Sequence, residues 1–509
     1  REVEVCYPEG MSKQQRLVLV VSILASLVAF LDGSIVNVAL PAIQRDLGGG
    51  LSAQQWIVDA YLLTLGSFIL IAGSLSDLLG RKRILTLGLV GFGVASLLCA
   101  LSPNSSSLIV FRALQGVAGA LLVPSSLAII ISTFSGAAQG KAIGTWTAWT
   151  GIAFVIGPLL GGFLVDSASW RLIFAINVVP IAVTLYLLRR VKVAKDKPKK
   201  AAVDVVGAAL CALGLGGPVF ALIEQPRYGW GDPLIYLTLG IGLIIFIAFL
   251  VYESRARQPM LKLDLFKNWN FSVGNVATLA VYAGLSVSTF LIVLFLQQVS
   301  HYSALRAGLA MLPVTIIMFL LSPRAGALSA KYGPRFFMGF GPLIGGVGFL
   351  LVARIPMDFN YWTQLLPGVV IFGIGLSITV APLTATILGD VPESEAGIAS
   401  AINNAVARVA GLVAVAAVGA VVALQFGNTL DKLCSTAPAS ALAQAKQASL
   451  VTTPPKPYQD DASFKRALNQ ASVTAFRTGM EVTAGLVIVG GIISLVGIRN
   501  PAKTKSKQP

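Results

Sequence analysis

A single histidine, four cysteines and only 12% charged side chains are what this 509-residue chain has least of, and each scarcity removes a class of function. One histidine, His301, rules out a His-based metal cluster, and no cofactor is expected. Cys6, Cys99, Cys211 and Cys434 are too few and too scattered for a disulfide framework, and their spacing fits no zinc site. Acids are scarcer than bases, 22 against 38, for a net charge of +16. That excess does not mark a nucleic-acid binder. The bases sit in short loops between apolar segments with little aromatic interleaving, so they read as topology determinants facing anionic lipid heads.

Apolar residues make up 55% of the chain, and the mean hydropathy is +0.80. A soluble protein with 51 glycines and so few charges could not cover its surface. Apolar runs of roughly 20 residues, the length that crosses about 30 Å of hydrocarbon, recur throughout. The fold class is therefore an all-α polytopic membrane protein. Residues 1–10 precede Met11-Ser-Lys, which looks like a natural bacterial start, and are set aside as an upstream extension. The first apolar segment is too long, and carries too many polar groups, for a cleavable signal.

Fourteen spans are predicted: 17–43, 54–75, 84–101, 107–132, 141–165, 170–188, 204–224, 233–252, 271–299, 308–328, 336–353, 362–388, 397–426 and 475–498. The organisation reads as a segment 1–16, a six-helix half 17–188, a basic linker 189–203 and two additional helices at 204–252. A second linker, 253–270, a second six-helix half, 271–498, and a tail, 499–509, complete it. Lys13, Arg16, Arg81–Arg83, Lys141, the linker bases and the tail bases fall on one side, which the positive-inside rule makes cytoplasmic for both termini. The opposite side carries the polar loop 427–474. Either it is a flexible excursion with some local helix or it docks a partner.

The most informative loop is Gly73-Ser-Leu-Ser-Asp77-Leu-Leu-Gly80-Arg81-Lys82-Arg83, expected to end one helix at Leu75 and open the next at Ile84. Its glycines are expected to let helix ends approach, and Asp77 to cap a helix or pair with an arginine. Gly326-Ala-Leu-Ser-Ala330-Lys-Tyr-Gly333-Pro-Arg335 echoes it without the acid. Two parallel halves, each with nested inverted repeats and a midplane site between them, form a transporter plan.

Asp32 lies about fifteen residues into the first span, roughly 22 Å. Asp59 enters from the opposite side to similar depth. Buried acids are expensive unless protonated, paired or facing water, which suits a proton carrier; the alternative is a structural acid bonded to Asn37, Tyr61 or backbone. Arg112 cannot lose its proton and acts only by modulating neighbouring acids or by clamping structure. Gly157, Pro158, Gly161 and Gly162 permit tight helix contact and a bend. Trp146, Trp149, Asn403, Asn404 and Arg408 stand with Asn37 and Tyr61 as candidates for a substrate cavity, or as packing groups and interhelical glue.

These stretches, together with Leu31–Pro41, Leu108–Gly119, Trp170–Asn177 and Ala396–Gly411, resemble the fourteen-helix drug:proton antiporter family of the major facilitator superfamily. The resemblance covers nearly the whole chain. It implies proton-driven export of a small amphiphilic, drug-like substrate by alternating access in a bacterial inner membrane, by a monomer. It further implies Asp32 and Arg112 as coupling residues, beside which the depth of Asp59 offers a second carboxyl, and Asp77 with its neighbouring bases as a conformational latch, taken as Gly73, Asp77, Gly80, Arg81 and Arg83. The Gly157-Pro158 helix would mark an antiporter. Exporters of organic cations tend to carry extra acids in the C-terminal half, where Met318, Asn403 and Asn404 stand here, so neutral, zwitterionic or amphiphilic substrates fit better. The alternatives are export of an endogenous metabolite or lipid and a non-transporting receptor. A membrane-embedded enzyme would need a nucleophile–base or metal constellation that the sequence does not display.

Overall fold

The computed structural model describes residues 11–191, 203–389, 391–392, 395–434, 437–447, 450, 454 and 458–500. The extension 1–10, most of the basic linker and the tail from 501 lie outside the described residues. Seventeen α-helices follow in chain order: α1 Lys13–Leu47, α2 Gly50–Leu79, α3 Arg81–Ala100, α4 Ser105–Thr133, α5 Gly136–Gly151, α6 Ala153–Ser167, α7 Leu172–Ala175 and α8 Val178–Arg190. Next come α9 Val205–Tyr228, α10 Pro233–Arg255, α11 Trp269–Leu294, α12 Ala304–Tyr332, α13 Pro334–Val352 and α14 Leu366–Gly389. The last are α15 Ala396–Leu433, α16 Ala439–Gln447 and α17 Ala462–Gly497. Among the described residues there is no strand, and fourteen segments are long and apolar enough to cross a membrane. The predicted spans all find their helices.

Helix ends depart from the expectation where polar residues continue a helix past the apolar stretch. α15 runs on to Leu433, and α17 begins at Ala462 under Asp461, whose carboxylate accepts from the Ser463 and Phe464 amides. The predicted loop 427–474 is thus helical at both ends and carries α16 between. Side-chain caps and helix propensity, not hydropathy, set those boundaries.

The hairpin between α2 and α3 also differs. The helices are separated by Gly80 alone, at φ +94°, a conformation that only glycine adopts cheaply. Asp77 therefore lies within α2, and its side chain, expected to cap or to pair with an arginine, lies outside the described residues. Nor do Gly73 and Gly80 bring helices together, since a Cβ on either would meet nothing within 4 Å. The echo in the second half repeats the geometry, with Gly333 at φ +92° opening α13. The fifth span is interrupted at Ile152, between α5 and α6, six residues before the expected bend at Pro158.

Contacts divide the chain into two compact units. The first comprises Arg1–Leu261, Val293–Leu309 and Ala439–Ser449; the second comprises Lys262–Ile292, Ala310–Pro438 and Leu450–Pro509. In the first, α1 packs on α4, α6 and α8, α2 packs on α4 and α9, and α9 pairs with α10. Its core includes Leu19, Phe92, Leu122 and Trp146. In the second, α13 packs on α14 and α17, and α15 on α17. Phe349 and Phe372 meet there at 4.2 Å between centroids.

Candidate functional site

Helices α1 and α4 of the first unit bring a charge pair into a buried site. Asp32 of α1 and Arg112 of α4 are both 0% exposed, and the Arg112 guanidinium donates from Nη1 to Asp32 Oδ2. A buried pair of this kind repays its desolvation only when further hydrogen bonds satisfy the remaining atoms. Here they do. Asp32 Oδ1 accepts from Gln115 Nε2 at 2.8 Å and from Asn177 Nδ2 at 3.0 Å. Arg112 Nε donates to the Ile57 carbonyl at 3.0 Å, and Nη1 also reaches Gln115 Oε1 at 2.7 Å. Ser96 of α3 accepts from Gln115 at 2.9 Å. The guanidinium stacks 4.3 Å from the Tyr61 ring centroid, with Phe174 at 5.7 Å, which adds cation–π attraction inside a dry site.

Sequence reasoning anticipated Asp32 and Arg112 but not Gln115, Asn177 and Ser96. Gln115 lies one helical turn beyond Arg112, a spacing that puts both on one face and offered a usable signal. Asn177 comes from the N-terminal edge of α8, and nothing local marks it as a partner for α1.

The other expected residues are distributed differently. Asp59 of α2 is 0% exposed, and neither carboxylate oxygen has a hydrogen-bond partner among the described residues. Tyr61 lies buried under Arg112 and donates to the Ala29 carbonyl at 3.2 Å. Asn37 Nδ2 bonds the Gly33 carbonyl of its own helix at 3.4 Å. Trp146 is buried and donates to Ser26 Oγ at 3.1 Å, whereas Trp149 is exposed, so these two do not share an environment. In the second unit, Asn403 of α15 donates to Asn275 Oδ1 at 3.2 Å and to Thr278 Oγ1 at 2.8 Å on α11, an interhelical clasp. Asn404 bonds the Ser400 carbonyl at 3.0 Å, and Arg408 is half-buried on the same helix.

The small residues of α6 are contact points. A Cβ at Gly157 would meet Ser34 Oγ at 1.9 Å, and one at Gly161 would meet Ile35 at 2.6 Å, so α1 lies directly on this stripe. A Cβ at Gly162 would meet the Leu305 backbone at 2.5 Å, and Asp166 caps that turn by accepting from the Ala304 and Leu305 amides at 3.0 and 2.9 Å.

Of the three consecutive bases, Arg83 is exposed and Arg81 and Lys82 are half-buried; Lys82 anchors on backbone. It donates to the Val191 carbonyl at 2.8 Å and to Arg189 at 3.3 Å, at the end of α8. Arg335, equally two residues past its glycine, donates to the Leu495 carbonyl near the end of α17. Cations that satisfy the last carbonyls of a helix also complement its dipole. The repeat is thus carried by backbone recognition in both units.

The chain as a whole has known relatives. The chain is 34% identical over 426 residues to the methylenomycin A resistance protein of Bacillus subtilis, covering 82% of this chain and 89% of that one. It is 34% identical over 408 residues to a puromycin resistance protein of Streptomyces alboniger, at 78% and 80% coverage. With the tetracenomycin C resistance and export protein of Streptomyces glaucescens it shares 29% identity over 483 residues, at 91% and 88%. Among solved structures, a bacterial homologue of the human lysosomal transporter Spinster matches with a TM-score of 0.64 at 16% identity, covering 97% of this chain and 100% of that one, a likeness of fold alone. The family model described as Major Facilitator Superfamily matches residues 22–415, and with fourteen apolar spans around a buried Asp32–Arg112 pair, this chain belongs to that superfamily of membrane transporters.

Proposed function

We propose that this transporter exports small amphiphilic, drug-like compounds from the cytoplasm or inner leaflet in exchange for protons, by alternating access, without a cofactor. The observation that carries the reading is the Asp32 hub. One carboxylate holds Arg112 and, through Gln115 and Asn177, ties α1 to α4 and to the start of α8. Protonating Asp32 cancels the attraction for a guanidinium that cannot itself lose its proton, so one proton loosens three helices together. Asp59 is the second coupling carboxyl. Substrate entering from the cytoplasmic side favours proton release, and the cluster closes again. One proton is worth about 1.4 kcal/mol per pH unit and roughly 2.3 kcal/mol per 100 mV, enough for useful concentration ratios.

In this reading the halves are 17–188 and 271–498, with 204–252 as an added pair, and the protein works as a monomer. Both termini face the cytoplasm of a bacterial inner membrane, as the loop bases favour. Gly73, Asp77, Gly80, Arg81 and Arg83 form the cytoplasmic latch. Gly157, Pro158, Gly161 and Gly162 form the packing face that lets α6 shift against α1. The relatives named for resistance to methylenomycin A, puromycin and tetracenomycin C support a drug-like substrate.

The test is transport in proteoliposomes under an imposed pH gradient, against a panel that includes puromycin and uncharged amphiphiles. The parent protein accumulates at least one compound only while the gradient lasts, and Asp32→Asn does not. Full, pH-dependent accumulation by Asp32→Asn overturns the assignment.

A further inference from the structure

Asp59 stands apart from the Asp32 hub, and the geometry of α2 says what it faces. At about 100° per residue, the side of α2 that meets α4 is set by Tyr61, under Arg112, and by Thr64, which donates to the Ala113 carbonyl at 2.8 Å. The side that meets α9 is set by Ser52, Trp56 and Leu63. Trp56 packs 6.1 Å from Phe220, and Leu63 lies against Gly216. On that wheel Asp59 falls roughly 40° from the α9 stripe and about 170° from the α4 side. It therefore points toward the added helices rather than toward Arg112.

The same stripe carries a second carboxylate at its outer end. Glu224 of α9 is half-buried, and its Oε1 accepts from Ser52 Oγ at 2.8 Å and from Trp56 Nε1 at 2.9 Å. Both bonds go to one oxygen, which leaves Oε2 without a donor among the described residues. Ser52 and Trp56 lie about 10 Å and 4.5 Å above Asp59 along the helix axis. An apolar contact needs no glutamate here. A carboxylate pinned by two donors at the mouth of a stripe that ends on an unpartnered buried carboxyl is the arrangement of a relay.

We propose that Glu224 is the proton-relay residue through which Asp59 exchanges protons with the external side, so that the added pair α9–α10 supplies a part of the coupling path. This rests on the reading of Asp59 as a coupling group. A proton from external water joins Glu224 Oε2, passes along a short water chain to an Asp59 oxygen, and leaves Glu224 charged again to accept the next. Ser52 and Trp56 hold the relay carboxylate in place and do not themselves ionise. The other charged groups on elements against this end of α2 are Arg45 and Asp46 on α1, Arg227 on α9 and Lys446 on α16, with the Asp32–Arg112 pair deeper. Asp46 is held by Arg171. Arg81–Arg83 on α3 and Asp204 at the start of α9 stand at the far end.

The experiment needs no substrate. Full-length protein in lipid is followed by infrared spectroscopy after a pH jump, reading the carbonyl band of protonated Asp59, assigned by its loss in Asp59→Asn. Glu224→Gln keeps an acceptor for Ser52 and Trp56; it slows the rise of that band by on the order of tenfold or more while its midpoint stays in place. Glu224→Asp restores the rate to within a few-fold. An unchanged rate in Glu224→Gln, or a shifted midpoint at unchanged rate, overturns the relay and leaves Asp59 as a coupling group. If no Asp59 band titrates, the coupling reading of Asp59 itself fails, and the relay with it.

Discussion

Replacing Asp32 and replacing Arg112 should not cost the same, although each breaks the same ion pair. In Asp32→Asn the guanidinium stays charged, because arginine cannot shed its proton, and it stays buried at 0% exposure with only neutral acceptors, the introduced amide oxygen, Gln115 Oε1 and the Ile57 carbonyl. Breaking a buried pair this way costs about 3–5 kcal/mol. In Arg112→Gln the orphan is a carboxyl, which escapes its penalty by taking up a proton. As a neutral acid it keeps the bonds from Gln115 and Asn177, so the loss is roughly 1–3 kcal/mol, the cost of the Arg112 hydrogen bonds. The double replacement, neutral on both sides, is more stable than Asp32→Asn alone. Thermal unfolding of the purified proteins in detergent reads both orders. Equal losses in the two single variants, or strict additivity in the double, would refute the account of the site as a closed charge pair.

Two further outcomes follow from local geometry. Gly116→Ala places a Cβ 2.1 Å from Thr64 Oγ1 and 2.4 Å from the Tyr61 carbonyl oxygen, which is backbone and cannot swing away. It should lower stability by about 1–3 kcal/mol or more, while Gly144→Ala, with nothing within 4 Å, should not; thermal shifts of the two compare them directly. Hydrogen bonds from the Ser463 hydroxyl, then from the Phe464 and Ser463 amides, hold the Asp461 carboxyl below its ordinary range. Its contribution to the first turn of α17 is therefore present above the unfolded-state value and lost as the pH falls through the folded one. Amide exchange across the start of α17 should show protection that declines in acid, and Asp461→Asn, still a good cap, should abolish that decline.

Much of this was legible in the chain. The run length of apolar residues and the scarcity of charge settle fourteen spans, because hydrocarbon tolerates only backbone that bonds within its own helix. Asp32 and Arg112 were legible because an ionised group inside an apolar run demands a partner. Asp59 was legible as an acid, but not as one that turns its back on Arg112. That depends on a helical phase which matters only once α4 and α9 are seated on opposite sides of α2. The hairpin between α2 and α3 was only partly legible. Hydropathy placed the helix ends at the last apolar residues, whereas Gly80 alone, with its positive φ, divides α2 from α3.

The sequence by itself determined that this chain is helical and has fourteen apolar spans, that it carries an acid and a base inside apolar runs, and that its fifth span is glycine-rich. These follow from composition, periodicity and motif, all local along the chain. The tertiary structure alone decided which groups complete the charge pair. Gln115, Asn177 and Ser96 converge on it from α4, α8 and α3, up to 145 residues from Asp32. It also decided that Lys82 and Arg335 recognise the carbonyls of α8 and α17, and that Trp56 of α2 holds Glu224 of α9. The reason is physical. A buried charge specifies only that partners must exist, and packing of distant helices specifies which they are.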